Sequence, residues 1–486
     1  LQSLAVSLQS EVEHLKLVIE KYKRMLFGKS SEKLHEQVAQ LQLYLDEKTQ
    51  DVAQIEAHAA SCVEFRAAAQ RARRPLPAHL PREIIEHLPE QACCPDCGGE
   101  FARLGEDVCE RLEYVPASFR VLRHVRPKLA CTKCDAIVQA HAPSGPIAHG
   151  MAGPGLLSHV LVSKFCDHLP LYRQSEIYAR QGVELDRSTL ADWVGQCHVL
   201  LRPLVEAIRR HVLSAQKIHG DDTPVPVLAP GMGQTRTGRL WAYVRDDRPA
   251  GDETPPAVWF AYSPNRRGEH PQAHLKAFRG ILQADAFAGF GPIYETGTVQ
   301  EAACWAHVRR KLYDLHQANA SPLAAEALRR IGALYDIERD IRGKPPNIRQ
   351  AERLARAGPL IEAFRTWMES NLLGLSQKSK LAEAIRYALT RWTALTRYVG
   401  DGHIEIDNNT AERALRAVAV GRKNYLHMGS DAGGERAASI YTLIGTCRLN
   451  NIEPEGYLRQ VIGCIGEHPV NRVEELLPWN IAADFA

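Results

Sequence analysis

Four acids and four cysteines are the residues of this chain whose types and spacing could do chemistry. Asp221 and Asp222 close the segment "QKIHGDD", and Asp285 closes "GILQAD". Both segments read as strands that end in acid, and a strand end is where a rigid sheet can hold side chains over a shared site. Carboxylates gathered there repel one another unless a divalent cation lies between them, and hard oxygen donors favour Mg²⁺ or Mn²⁺. A pair of such ions can activate a water or a 3′-hydroxyl and stabilise the leaving oxygen of an in-line phosphoryl displacement. The fourth acid, Glu412, stands in "IDNNTAERALRAVAVGRKNY" at the head of a basic run, Arg413, Arg416, Arg422 and Lys423. Two readings stay open for it on spacing alone. Glu412 with Arg416 is an ordinary i,i+4 helix pair on a solvated face, or it is a metal-holding acid beside a polyanion. Phosphates would also account for Arg309, Arg310 and Lys311.

The cysteines are of another kind. Cys94 and Cys97 in "CCPDCGGE", and Cys131 and Cys134 in "CTKC", form two C-x2-C knuckles with strand-like sequence between them. Four soft thiolates at that spacing suit tetrahedral Zn²⁺ in a zinc ribbon, and four protein ligands leave no open position for catalysis. Cys93 could stand in for Cys94, but Cys94 keeps the two-residue loop.

These sites need elements to position them. The chain has 486 residues, enough for about three domains, and 45% hydrophobic with 24% charged residues predicts a packed core. A net charge of only +3 does not itself indicate nucleic acid, so that case rests on local basic clusters. No apolar run of membrane-spanning length and no leader pattern is present, so the expectation is a cytoplasmic protein with no membrane partner. Twelve cysteines spread over this length are not a secreted disulfide framework.

The expected order is a multidomain α+β chain. Residues 1–62 carry a heptad-like stripe (Leu1, Leu4, Leu8, Leu15, Val18, Tyr22, Met25) and read as a coiled coil that joins copies into a homo-oligomer. Residues 63–90 form a basic linker with Arg71, Arg73 and Arg74, and 91–145 the zinc-binding domain. Residues 146–212 contain a helix, a turn at Gly182 and a second helix capped by Asp186 or Ser188. As a helix-turn-helix it would bring Arg187, Ser188 and Thr189 to a major groove; an ordinary helical hairpin fits the pattern equally well. Residues 213–311 run β–β–β–α–β, which suits an RNase H-like mixed sheet. A helical insertion (312–400), a second core segment with the Glu412 helix (401–450) and a helical tail (451–486) complete the order.

The segments "HGDDTPV", "GRLWAYVRD", "LQADAFAGF", "CWAHVRRKL", "DNNTAERALRAVAVGRKNYL" and "GSDAGGERAA", in this order, strongly resemble the insertion-sequence-66 family of bacterial transposases. "MLFGKSSEK", "LPAHLPREIIEHLP", the cysteine pairs and "LPLYRQSEIYARQGVELDRSTLADWV" extend the likeness over nearly the whole chain. The resemblance implies a DDE-type enzyme with an RNase H-like core. Its catalytic acids would be Asp221, Asp285 and Glu412, using Mg²⁺ or Mn²⁺, with Asp222 in reserve as first acid; Cys304 and His307 would either support catalysis or form a buried structural pair. Asn408 or Asn409 would cap the Glu412 helix. It further implies binding of transposon-end and target DNA, exposure of 3′-hydroxyls and their joining to target, with small accessory proteins of the same element and a nucleoid-associated location. The rival expectations are a DNA-binding regulator or architectural protein with an inactive nuclease-like core, and a nuclease that cuts without joining.

Overall fold

The computed structural model describes residues 150–229 and 231–481, together with 119, 121, 128–130, 137–139 and 145–147. The coiled coil, the basic linker and all four cysteines of the knuckles lie outside the described residues. Strands β1 (Lys128–Ala130) and β2 (Ile137–Gln139) pair antiparallel.

Helix α1 (Pro154–Phe165) precedes the expected helix pair, α2 (Leu171–Ala179) and α3 (Arg187–Leu213). Gly182, in the turn between them, has φ +78°, a conformation that costs glycine nothing. Asp186 holds the N-cap position of α3, but its side chain makes no cap bond. The 27-residue α3 does more than present a tip: Leu190, Trp193, Leu201, Leu204 and Ile208 bury one long stripe in the main core. Arg187 and Ser188 are exposed at its start, while Thr189 is half-buried.

Five strands follow: β3 (Lys217–Leu228), β4 (Thr235–Arg245), β5 (Ala257–Ser263), β6 (Gly280–Ala284) and β7 (Val299–Ala302). They form one mixed sheet in the order β5-β4-β3-β6-β7, antiparallel from β5 to β3 and parallel from β3 to β7. The strand pattern sets the first acids at a strand end, and here the structure differs. β3 continues past Asp221 and Asp222 through Pro224 and Pro226 to Leu228. Proline lacks the N–H that a two-sided ladder needs. It is tolerated here because β6 pairs only as far as Gly220, leaving β3 with β4 alone beyond that level.

After β7, helices α4 (Trp305–Asn319), α5 (Pro322–Ile341), α6 (Gly358–Leu373) and α7 (Lys380–Thr390) build a second hydrophobic core around Trp305, Ile331, Phe364, Ile385 and Leu395. Helical structure therefore starts at Trp305, inside "CWAH". Below this core, Arg349 and Arg353 are almost wholly buried and pair with Glu338, and Arg349 also with Glu405 at 2.7 Å. Pairing with carboxylates offsets the cost of burying these charges. Their remaining N–H groups hold the carbonyls of Tyr398, Asp401 and Gly402, so they fix the loop that leads into the next helix.

That helix is α8 (Asn409–Tyr425), followed by α9 (Asp431–Leu449) and α10 (Pro454–Cys464). β5 is a sheet edge whose free N–H groups would otherwise invite pairing with another chain. α9 covers it: the Thr442 and Thr446 hydroxyls accept from the N–H groups of Phe260 (2.9 Å) and Val258 (3.2 Å). Gly434 of "GSDAGGERAA" serves this packing, since a Cβ there would lie 2.4 Å from the Tyr262 ring. Among the described residues no helix is long and apolar enough to cross a membrane.

Candidate active site

Two of the acids stand where the parallel half of the sheet ends. In the β3–β6 register Gly220 pairs with Ala284, so Asp221 and Asp285 are each the next residue on neighbouring strands. Beyond that level α8 takes the place of β6 along the open side of β3. The Asn408 amide donates to the Gly220 carbonyl at 2.8 Å, Arg422 donates to the Pro224 carbonyl, and the Met428 N–H donates to the Pro226 carbonyl at 2.8 Å. Glu412, in the first turn of α8, is thereby set against the Asp221 strand.

The expected asparagine cap is replaced by this bridge. Asn408 occupies the N-cap position without a side-chain cap bond; it is completely buried and its oxygen faces His219 Nδ1 at 3.0 Å. Since its nitrogen donates to Gly220, its oxygen must accept, which puts the proton of His219 on Nδ1. Burial pushes His219 down to about 3, so the ring is neutral. Asp407 does the capping, accepting from the Asn409 N–H (3.1 Å) and its side-chain amide (2.9 Å). The Asn408 N–H donates to Cys304 Sγ at 3.1 Å, and burial pushes that thiol up to about 12. Cys304 therefore serves as a neutral structural acceptor, whereas His307 turns toward the acids, its Nε2 3.9 Å from Glu412 Oε1.

The four acids have unlike surroundings. Asp222 is fully compensated: Arg239 holds one oxygen at 3.0 Å and Arg266 the other at 2.8 Å, with the side chain 2% exposed. Asp285 accepts from the Phe287 N–H at 3.1 Å and meets Arg266 at 3.4 Å. Glu412 meets Arg310 at 3.5 Å through Oε2, while its Oε1 is buried with no hydrogen-bond partner. Among the described residues Asp221 makes no direct ion pair, and Arg266 reaches it only at longer range. Burial pushes its carboxyl up to about 7, against the pull of the Asp222 N–H at 2.7 Å, and the negative charges of Asp285, Asp222 and Glu412 push it further.

The donor set fits a hard divalent cation: oxygen ligands only, one buried carboxylate oxygen without a hydrogen bond, and one buried carboxyl without a direct ion pair. Among the described residues no group of three His, Cys, Asp or Glu is already gathered closely enough to hold a metal. The acids act on one another through their charges: Asp285, Asp222 and Glu412 each raise Asp221.

The predicted cations differ in how they are engaged. Arg422 is engaged by Pro224, Arg413 by the Thr410 hydroxyl and Arg310 by Glu412, whereas Arg309, Lys311, Arg416 and Lys423 are exposed on α4 and α8. Arg187, Ser188 and Thr189 belong to the start of α3, a separate element. Sequence patterning passed over Arg239, Arg266, His219 and Asn408 as site residues. The only local signal for Arg266 is the basic pair in "SPNRRGEH" just after β5.

The fold and site define an α/β protein with acids at the parallel end of its mixed sheet and exposed arginines and lysines on the neighbouring helices. The chain belongs to the Transposase IS66 family, whose model matches residues 149–436. The zinc-finger binding domain of transposase IS66 matches residues 91–135, spanning all four knuckle cysteines; a domain described as Transposase C of IS166 homeodomain matches 14–85, and the IS66 C-terminal element 442–479. Two relatives from Sinorhizobium fredii are similar over most of their length. Uncharacterized protein y4hP is 41% identical over 96% of this chain and 88% of its own, and uncharacterized protein y4qI is 41% identical over 86% and 78%.

Proposed function

We propose that this chain is the DDE-type transposase of an insertion sequence, with an RNase H-like core that cuts transposon-end DNA to 3′-hydroxyls and joins them to target DNA. The observation that carries the reading is geometric: the β3–β6 register sets Asp221 and Asp285 at one level, and the Asn408–Gly220 bond lays the first turn of α8, with Glu412, along the same strand. The strand order β5-β4-β3-β6-β7 supports the core assignment.

Bound Mg²⁺ or Mn²⁺ would supply the activated oxygen nucleophile and stabilise the leaving 3′-oxygen. Asp221, Asp285 and Glu412 would hold it, with Asp221 giving up its proton on binding. Asn408 sets the depth of Glu412 against β3, and the Arg239–Asp222–Arg266 group keeps the second aspartate neutralised beside the site. Arg309, Arg310, Lys311, Arg413, Arg416 and Lys423 hold phosphates. Arg422 keeps α8 on β3. The zinc domain and the α2–α3 pair, with Arg187, Ser188 and Thr189, contribute to DNA binding, and the heptad-like stripe of residues 1–25 joins copies.

The test is an assay of the full chain with labelled end DNA of its own element, target plasmid, and Mg²⁺ or Mn²⁺. Metal-dependent 3′-end release and joining, lost in Asp221→Ala, are expected. End binding without any nicking assigns the chain to DNA-binding regulators instead, and nicking without joining assigns it to nucleases.

A further inference from the structure

Helices α4 and α5 pack together and leave between them a cleft of about 570 Å³ that reaches Asn409 at the start of α8. Arg309, Arg310 and Tyr313 line it from α4, and Gly332, Tyr335 and Arg339 from α5. Three guanidinium groups face one acid of the lining, Asp336, which pairs with Arg339 at 2.9 Å. Arg310 leans on Glu412 at 3.5 Å. Among the described residues Arg309 has no anionic partner and lies 5.9 Å from the Tyr313 ring centre. The excess of positive charge suits phosphate, and the guanidinium planes and tyrosines suit a base.

Gly332 points the same way. It sits in the interior of α5, where glycine costs about 1 kcal/mol relative to alanine. Close packing does not require it, because a Cβ there would meet nothing within 4 Å. The space it leaves open belongs to the cleft. Tyr335 is set in place by a hydrogen bond to Asp407, while Tyr313 is 43% exposed and free to receive a ring.

The volume falls within the roughly 300–1,000 Å³ of small-molecule sites. It has room for one nucleotide and none for a duplex. We propose that this cleft takes a single unpaired nucleotide of the DNA, turned out of the helix next to the position that is cut, with its base against Tyr313 and the Gly332 wall and its phosphates on Arg309, Arg310 and Arg339. The placement next to the cut rests on the strand-transfer reading above, through the shared contact of Arg310 with Glu412. Extruding a base costs pairing and stacking energy, which stacking on an aromatic side chain offsets.

The test compares the full chain's affinity for a duplex bearing one unpaired adenine, the same duplex fully paired, and the same bulge with an abasic site. The readout is the ratio of affinities, which cancels contacts made elsewhere. We expect the unpaired adenine to bind about ten-fold tighter than either control, as stacking of one base predicts. Gly332→Leu, which fills the cleft with a stronger helix former, and Tyr313→Ala, which removes the stacking face, should each bring the ratio close to one, with Gly332→Ala intermediate. A ratio of one in the unaltered protein overturns the proposal, and so does a ten-fold ratio that survives in both Gly332→Leu and Tyr313→Ala. Metal-dependent nicking measured in parallel separates the two readings. An intact preference with no nicking removes the strand-transfer function alone. Nicking and joining with no preference for the unpaired base removes the cleft proposal alone.

Discussion

Asp221 and Asp285 stand level on the two adjacent parallel strands at the middle of the sheet, each one residue past the last paired level, Gly220 with Ala284. Level residues on parallel neighbours lie on the same face, and α8 adds Glu412 from the side that β6 vacates. If these three acids work as one unit, replacing any of them by its amide, Asp221→Asn, Asp285→Asn or Glu412→Gln, should lower DNA cleavage and joining by roughly 10³-fold or more. End binding, followed by gel shift, should persist. Strand transfer near the normal rate by any of the three would remove that residue from the site. Asp222→Asn is expected to act differently, because its charge is already matched by Arg239 and Arg266; its loss should appear mainly as lowered stability.

Asn408 is the joint between the Glu412 helix and the Asp221 strand. Asn408→Ala leaves the Gly220 carbonyl without that donor and His219 Nδ1 without an acceptor, both buried. The expected loss is about 2–4 kcal/mol in urea unfolding. Cleavage should fall further than stability alone explains, since Glu412 loses its register. An Asn408→Ala protein with unchanged unfolding free energy would show that the bridge is not made.

Thr442 and Thr446 close the β5 edge. Thr442→Val and Thr446→Val keep the shape of each side chain but leave the N–H of Phe260 or Val258 buried and unpaired. Each should cost about 1–2 kcal/mol, and the double variant should aggregate more readily as the edge loses its cover. Light scattering on thermal ramps reads the second effect.

Much of this arrangement was legible in the residue pattern, and the exceptions have a common cause. Alternating apolar runs with Gly and Pro turns carried the three antiparallel strands and the following helix and strand. Gly182 carried the turn between α2 and α3. What the pattern hid were partners distant in the chain. Asn408 looked like a cap because cap geometry is local, whereas its actual partners, His219 and Gly220, lie near the start of β3. Pro224 and Pro226 made the first strand look finished at its acids, because nothing local says that β6 stops and leaves β3 one-sided. Asp222 looked interchangeable with Asp221 until Arg239, on the next strand, and Arg266, beyond β5, met it. Glu412 was ambiguous on spacing and became readable through the order of motifs around it.

The zinc-finger binding domain matched over residues 91–135 contains Cys94, Cys97, Cys131 and Cys134. Purified protein should carry about one equivalent of Zn²⁺, as a four-thiolate site requires. Cys94→Ser with Cys97→Ser should lose that metal, measured by elemental analysis, and lose affinity for end DNA. Full DNA affinity in the zinc-free variant would separate this domain from end recognition.

The proton on Asp221 gives the site a pH signature in metal-free protein. Its folded-state value of about 7 lies above the ordinary 3.8. Below about pH 4 the carboxyl is protonated whether the chain is folded or not, and its contribution to stability is complete. Between there and pH 7 the unfolded chain releases the proton and the folded chain keeps it, so stability is lost as pH rises, and the loss is finished above pH 7. Asp221→Asn has no such proton. Its advantage over the unaltered protein in urea unfolding should therefore grow by about 2–4 kcal/mol between pH 4 and pH 8. His219, held near 3 by burial, acts in the opposite direction on acidification, but both proteins contain it and the difference cancels it. A divalent cation should reverse the trend, since binding displaces the Asp221 proton: Mg²⁺ affinity, measured by calorimetry, should rise about ten-fold per pH unit toward pH 7 and level off above it. Parallel stability profiles for the two proteins at every pH would mean that Asp221 does not sit in this buried setting beside other carboxylates, and the shared-site reading would lose that support.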